Sequence, residues 1–123
     1  MSKKDNFDIY DRALKLAIRV AKFIDGLPRT TVSIKYGGQV ISSSGSIGAN
    51  LEEANGTATK KDFINKLVVS RKEARETVHW LRLIKGVELA KDEAQKKELE
   101  WLIGESKELV LIISSIIRNT ESK

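Results

Sequence analysis

The sequence has no cysteine. Disulfides, thiolate metal sites and a cysteine nucleophile are therefore excluded, and a reducing compartment fits. There is one proline in 123 residues. Sandwiches and loop-rich folds need more turn punctuation than that; long helices do not. There is one histidine, His79, so an imidazole-based metal centre has almost nothing to draw on. No apolar run approaches the roughly 18 residues of a membrane span. The N-terminal MSKKDNFDIYDR lacks an apolar signal core, and the expectation is a soluble, cytoplasmic protein.

What is present suits helices. Apolar residues make up 41% and charged residues 32%, enough for one core with a charge-rich surface. The chain reads as a single domain, 1–123, with helices at about 7–27, 30–55, 59–87 and 91–118. In the first, Ile9, Ala13, Leu16, Val20 and Phe23 form one apolar stripe. Tyr10, Leu14, Ala17, Ala21 and Ile24 form a second beside it. The third helix repeats the spacing through Phe63, Leu67, Ser70, Ala74, Thr77, Val78, Leu81 and Ile84, with a second patch at Val69, Trp80 and Val87. Thr59 and Asp62 resemble a capping box at its start. The fourth carries Leu99, Leu102, Ile103, Ser106, Leu109, Val110, Ile113, Ile116 and Ile117. Met1–Asn6 and Asn119–Lys123 are expected to fray. Four such segments with short connections predict an all-α, antiparallel up-down four-helix bundle.

The second segment is the ambiguous one. Val32, Ile34, Val40, Ile41 and Ile47 are β-branched and could suggest strands. They do not alternate cleanly, and Leu51-Glu52-Glu53-Ala54 favours helix. Inside it lies SSSGSIGAN, residues 42–50. A phosphate loop needs four residues between its glycines, then Lys and Ser or Thr; Gly45 and Gly48 have two between them, and Ala49-Asn50 follow. Gly45-Ser46-Ile47-Gly48 matches a KH-type GxxG literally, but no mixed sheet is readable around it. A linker would leave two small domains, and Ile41, Ile47 and Leu51 bracket the stretch. The favoured reading is a helix whose small residues let a neighbour approach, offsetting about 1 kcal/mol per glycine.

The net charge is +5, a bias toward polyanions. Arg12, Lys15, Arg19 and Lys22 share a strip of the first helix, whose near acids are only Asp8 and Asp11. Arg71, Arg75 and Arg82 share a strip of the third, with Lys60 at its start. Each alone suits a solvated face. Together they suggest contact with RNA or DNA phosphates without strong sequence reading. Glu76 and His79 have the spacing of a di-iron Glu-x-x-His motif, but no second motif exists. The expectation for Glu53 and Glu76 is a buried or half-buried contact to arginine or backbone, and for His79 an interface or packing pair with Trp80. No cofactor, metal site or catalytic residue is expected.

Three ordered blocks carry a family resemblance: SIGANLEEA at 46–54, KKDF at 60–63 and KEARETVHWLRL at 72–83. They resemble the S-I-x-A-N-x-x-E-[GA], K-D-F and E-x-x-E-T-x-x-W-L patterns of the bacterial 23S rRNA intervening-sequence proteins, and the resemblance covers nearly the whole chain. It implies an up-down bundle assembling as a homo-oligomeric ring, commonly a pentamer, encoded within 23S rRNA genes or in free-standing genes. Asn50, Glu53, Phe63, Glu76, Trp80 and Leu81 correspond to the signature and are read as structural or assembly residues. A related branch, the accessory variability determinant of diversity-generating retroelements, is a basic pentamer that binds nucleic acid and a reverse transcriptase. This chain looks like the intervening-sequence branch, which implies no reverse-transcriptase partner and no catalytic residues. The alternative function is a structural or adaptor oligomer for a protein partner.

Overall fold

The computed structural model describes residues 8–123. Four helices follow in order: α1 (Ile9–Asp25), α2 (Thr31–Asn55), α3 (Lys60–Gly86) and α4 (Glu93–Glu121). They form an antiparallel up-down four-helix bundle, with α2 on α3, α3 on α4, and α1 closing the ring against α2 and α4. The expectation for Met1–Asn6 lies outside the described residues. The other end corrects the reading. Instead of fraying at Asn119, α4 runs to Glu121, where Thr120 Oγ1 donates to the Ile116 carbonyl at 2.7 Å.

Each start has a side-chain cap. Asp8, Thr30, Thr59 and Asp92 accept from backbone N–H groups of the first turn, satisfying donors a helix otherwise leaves open. The reciprocal capping box belongs to α2. Thr30 Oγ1 accepts from the Ser33 N–H at 3.1 Å, and Ser33 Oγ accepts from the Thr30 N–H at 2.9 Å. At α3, Thr59 caps the Asp62 N–H at 3.1 Å.

The buried positions fall at alternating steps of four and three. On α1 they are Ile9, Ala13, Leu16, Val20 and Phe23, continuing to Leu27 beyond the helix. On α2 they are Ser33, Gly37, Val40, Ser44, Ile47, Leu51 and Ala54, with Ser43 beside them. On α3 they are Leu67, Ser70, Ala74, Thr77, Leu81 and Ile84. This 3.5-residue repeat is the geometry of bundles whose helices cross at small angles.

The small polar residues of α2 are thus its core face. Ser43 Oγ and Thr77 Oγ1 share a buried hydrogen bond of 2.8 Å, and Ser70 Oγ donates to the Ile47 carbonyl at 2.8 Å. Two helices tied through short side chains sit close together, and each buried hydroxyl has a partner. SSSGSIGAN is therefore mid-helix, and its close packing comes from Ser43, Ser44 and Ile47. Its glycines contribute less than expected. A Cβ on Gly45 would meet nothing within 4 Å, and one on Gly48 only ordinary contact with Ala13 at 3.6 Å. The glycine that close approach requires is Gly37, where a Cβ would lie 2.6 Å from Ile24 Cγ2.

Candidate nucleic-acid interface

The bundle treats the two predicted basic strips differently. On α1, Arg12 donates from Nε and Nη2 to Glu105 at 2.9 and 2.8 Å. Arg19 forms the same two-point pair with Glu98, and its guanidinium lies 3.5 Å from the centre of the Trp101 ring. Lys15 Nζ is 5.9 Å from that ring. Lys22 is exposed and lines a cleft with Gln95 and Glu98. The acids that answer this strip are therefore on α4, not only at Asp8 and Asp11. The forks match carboxylate geometry, and the hydrogen bond from Arg19 holds the Glu98 carboxyl below its ordinary value. Half the strip serves the α1–α4 seam.

The sequence reading passed over Glu98, Trp101 and Glu105. The signal was in the spacing. Arg12 and Arg19 are seven apart, as are Glu98 and Glu105, and seven residues return to the same helix face. Antiparallel helices then pair the first arginine with the second glutamate.

The α3 strip stays open. Arg75 and Arg82 are exposed, and no carboxylate among the described residues pairs with either. Arg71 is half-buried, donating from Nη1 to Ser114 Oγ at 3.3 Å; its buried Nε has no partner among the described residues. Across the seam, Lys107 of α4 joins Arg75 at a groove floored by Val78, Val110 and Leu111. Lys107 was not among the predicted residues. Lys60 is exposed in the first turn of α3.

The acidic candidates are surface groups. Glu53 pairs with Lys66 at 2.6 Å, and Glu76 with Lys72 at 3.9 Å. The expected buried or half-buried contacts to arginine or backbone are replaced by surface pairs with the α3 lysines Lys66 and Lys72. No three histidine, aspartate or glutamate residues gather in a metal-binding group among the described residues. His79 is exposed and meets Trp80 edge-on, ring centres 5.1 Å apart, while Trp80 packs on Tyr36 at 5.7 Å. Phe63 packs against the core and Leu81 lies within it. Asn50 Nδ2 donates to the Ser46 carbonyl at 2.8 Å within its own helix. No helix among the described residues is long and apolar enough to cross a membrane.

No curated protein matches the chain. Among solved structures, the chain is similar to a protein of unknown function from the S23 ribosomal protein family of Bacteroides thetaiotaomicron. The two are 32% identical over 89% of this chain and 98% of that one, with a TM-score of 0.75. The family model of the 23S rRNA-intervening sequence proteins matches residues 5–115. With that match over most of its length and a four-helix bundle, the chain belongs to the 23S rRNA-intervening sequence protein family.

Proposed function

We propose that this protein is a non-enzymatic, cytoplasmic bundle that assembles as a homo-oligomeric ring and binds RNA or DNA phosphates without strong sequence preference. The observation that carries the reading is the α3–α4 seam. Arg75 and Lys107 are exposed there, Arg82 is exposed two turns further along α3, and none of the three has a carboxylate partner among the described residues. Cations left unneutralised on a rigid helix face suit phosphates, and a ring would multiply them. The α1 strip contributes Lys15 and Lys22 at its outer side, while Arg12 and Arg19 hold the seam.

Fluorescence anisotropy with unrelated RNA and DNA across a salt series tests this. Affinity should fall steeply with salt. Replacing Arg75, Arg82 and Lys107 by Gln should flatten the log–log slope by about 0.9 per lost duplex phosphate contact. An absence of binding to either polymer at low salt removes the reading. A second reading, an adaptor for a protein partner, is favoured by the floor of the same groove. Val78, Val110 and the 62%-exposed Leu111 between two cations suit an acidic amphipathic helix. Leu111→Gln then abolishes capture of such a helix and leaves nucleic-acid affinity unchanged.

A further inference from the structure

At the α3–α4 turn the chain builds a cleft that neither basic strip explains. It encloses about 420 Å³ and gathers the side chains of Lys85, Lys91 and Lys96 with Glu88 and Glu100, over a floor of Ala90 and Leu99. That is the size of a small-molecule site. Lys85 is paired with Glu100 at 2.6 Å, whereas Lys91 has no carboxylate partner among the described residues and Lys96 only the distant Glu93 at 3.9 Å. The cleft therefore presents Lys91 unpaired and Lys96 only loosely held, with lysines outnumbering carboxylates by three to two along its lining.

The turn is held in place. The Lys91 N–H donates to Gln95 Oε1 at 2.8 Å, the Gln95 N–H to Asp92 Oδ1 at 2.8 Å, and Gln95 Nε2 to the Gly26 carbonyl at 3.0 Å. Beneath it, the Glu88 N–H bonds the Lys85 carbonyl at 3.1 Å and the Leu89 N–H bonds the Ile84 carbonyl at 3.3 Å. This is the Schellman ending of α3, whose left-handed position favours glycine. Here that position is Glu88, with φ 59°, the sole non-glycine residue with positive φ among the described residues. A glycine would relieve the strain but remove a carboxylate from the cleft wall. Strain kept where a side chain lines a cavity points to a use for that side chain.

We propose that this cleft binds a small phosphate monoester with a hydroxyl-bearing body, of the sugar-phosphate or mononucleotide class. Lysines act on phosphate as compact point charges. Glu88 and Glu100 accept from ligand hydroxyls, and the Ala90–Leu99 floor takes the apolar face of the ring. Titration of the full chain, followed by amide NMR and calorimetry, tests this with ribose 5-phosphate, adenosine monophosphate and inorganic phosphate as separate arms. Saturable shifts at Glu88–Lys91 are expected with the organic phosphates, at least tenfold tighter than with inorganic phosphate. A preference for the nucleotide over ribose 5-phosphate assigns the base to the floor; equal affinity assigns the sugar phosphate alone. Lys91→Gln/Lys96→Gln should weaken binding tenfold or more. Glu88→Gly should raise the melting temperature and yet weaken binding. No saturable shift, or inorganic phosphate binding equally well and indifferently to Glu88→Gly, overturns the proposal.

Discussion

Gly37 and Gly45 sit two turns apart on α2, and substitution should move them in opposite directions. At Gly37 an added methyl meets Ile24 Cγ2 at 2.6 Å. That atom hangs on a branched carbon and has little freedom to swing away. Gly37→Ala should therefore lower stability by about 1–3 kcal/mol through overpacking. At Gly45 the methyl enters open space, so Gly45→Ala should raise the stability of the single subunit by up to about 1 kcal/mol. Urea unfolding of the two variants checks both signs. SSSGSIGAN marked small residues correctly as a packing device, but not which ones. Residue identity gives size, whereas the rotation of the helix decides whether a small residue faces a neighbour.

At the scale of elements, the α1–α4 seam joins an apolar stripe to two arginine forks. The stripe was legible: Ile9, Ala13, Leu16, Val20 and Phe23 are all buried. The core of α2 was harder to read, because Ser33, Gly37 and Ser44 occupy core positions that an apolar pattern does not register. Glu98 makes the seam sensitive to acid. The hydrogen bond from Arg19 lowers its pKa in the folded state from a reference of 4.5. A carboxyl whose folded pKa is depressed stabilises fully above its unfolded value, and that contribution is lost as pH falls through the folded one. Unfolding of wild type should thus show stability declining as pH falls below that reference of 4.5. Glu98→Gln should cost about 1 kcal/mol at neutral pH for this part-exposed pair and decline less in acid. Equal acid slopes in the two proteins count against the pair.

At the scale of the whole molecule, α1 and α2 expose large apolar side chains. Leu14 and Ile18 point outward from α1 at 60% and 47% exposure. Ile34 and Ile41 do so from α2 at 59% and 44%. Gly38 and Gly45 lie between and beyond those isoleucines, with open space above each. Helix-interior glycines with no neighbour in the subunit, set among exposed isoleucines, suit close approach of a second copy in a closed ring. Sedimentation at micromolar concentration should find the wild type as one closed oligomer. Ile34→Lys/Ile41→Lys should give folded monomers, and nucleic-acid affinity should drop with the lost multiplicity. A wild type that stays monomeric removes the ring and the multiplied charge.

The sequence by itself determined the bundle. Apolar residues at helical spacing, a capping residue at Thr59 and scarce turn punctuation leave little else to form, and three ordered blocks were enough to suggest the family. Only the tertiary structure decided what the charges do. Arg12 and Arg19 look as available in the sequence as Arg75 and Arg82, because a basic strip is defined by one helix alone. Its electrostatic use depends on the helix packed beside it. The α4 glutamates answer the α1 arginines at a separation of 93 and 79 residues, while the α3 seam brings a further lysine. Chain folding settles that pairing, since a charge finds its partner through space.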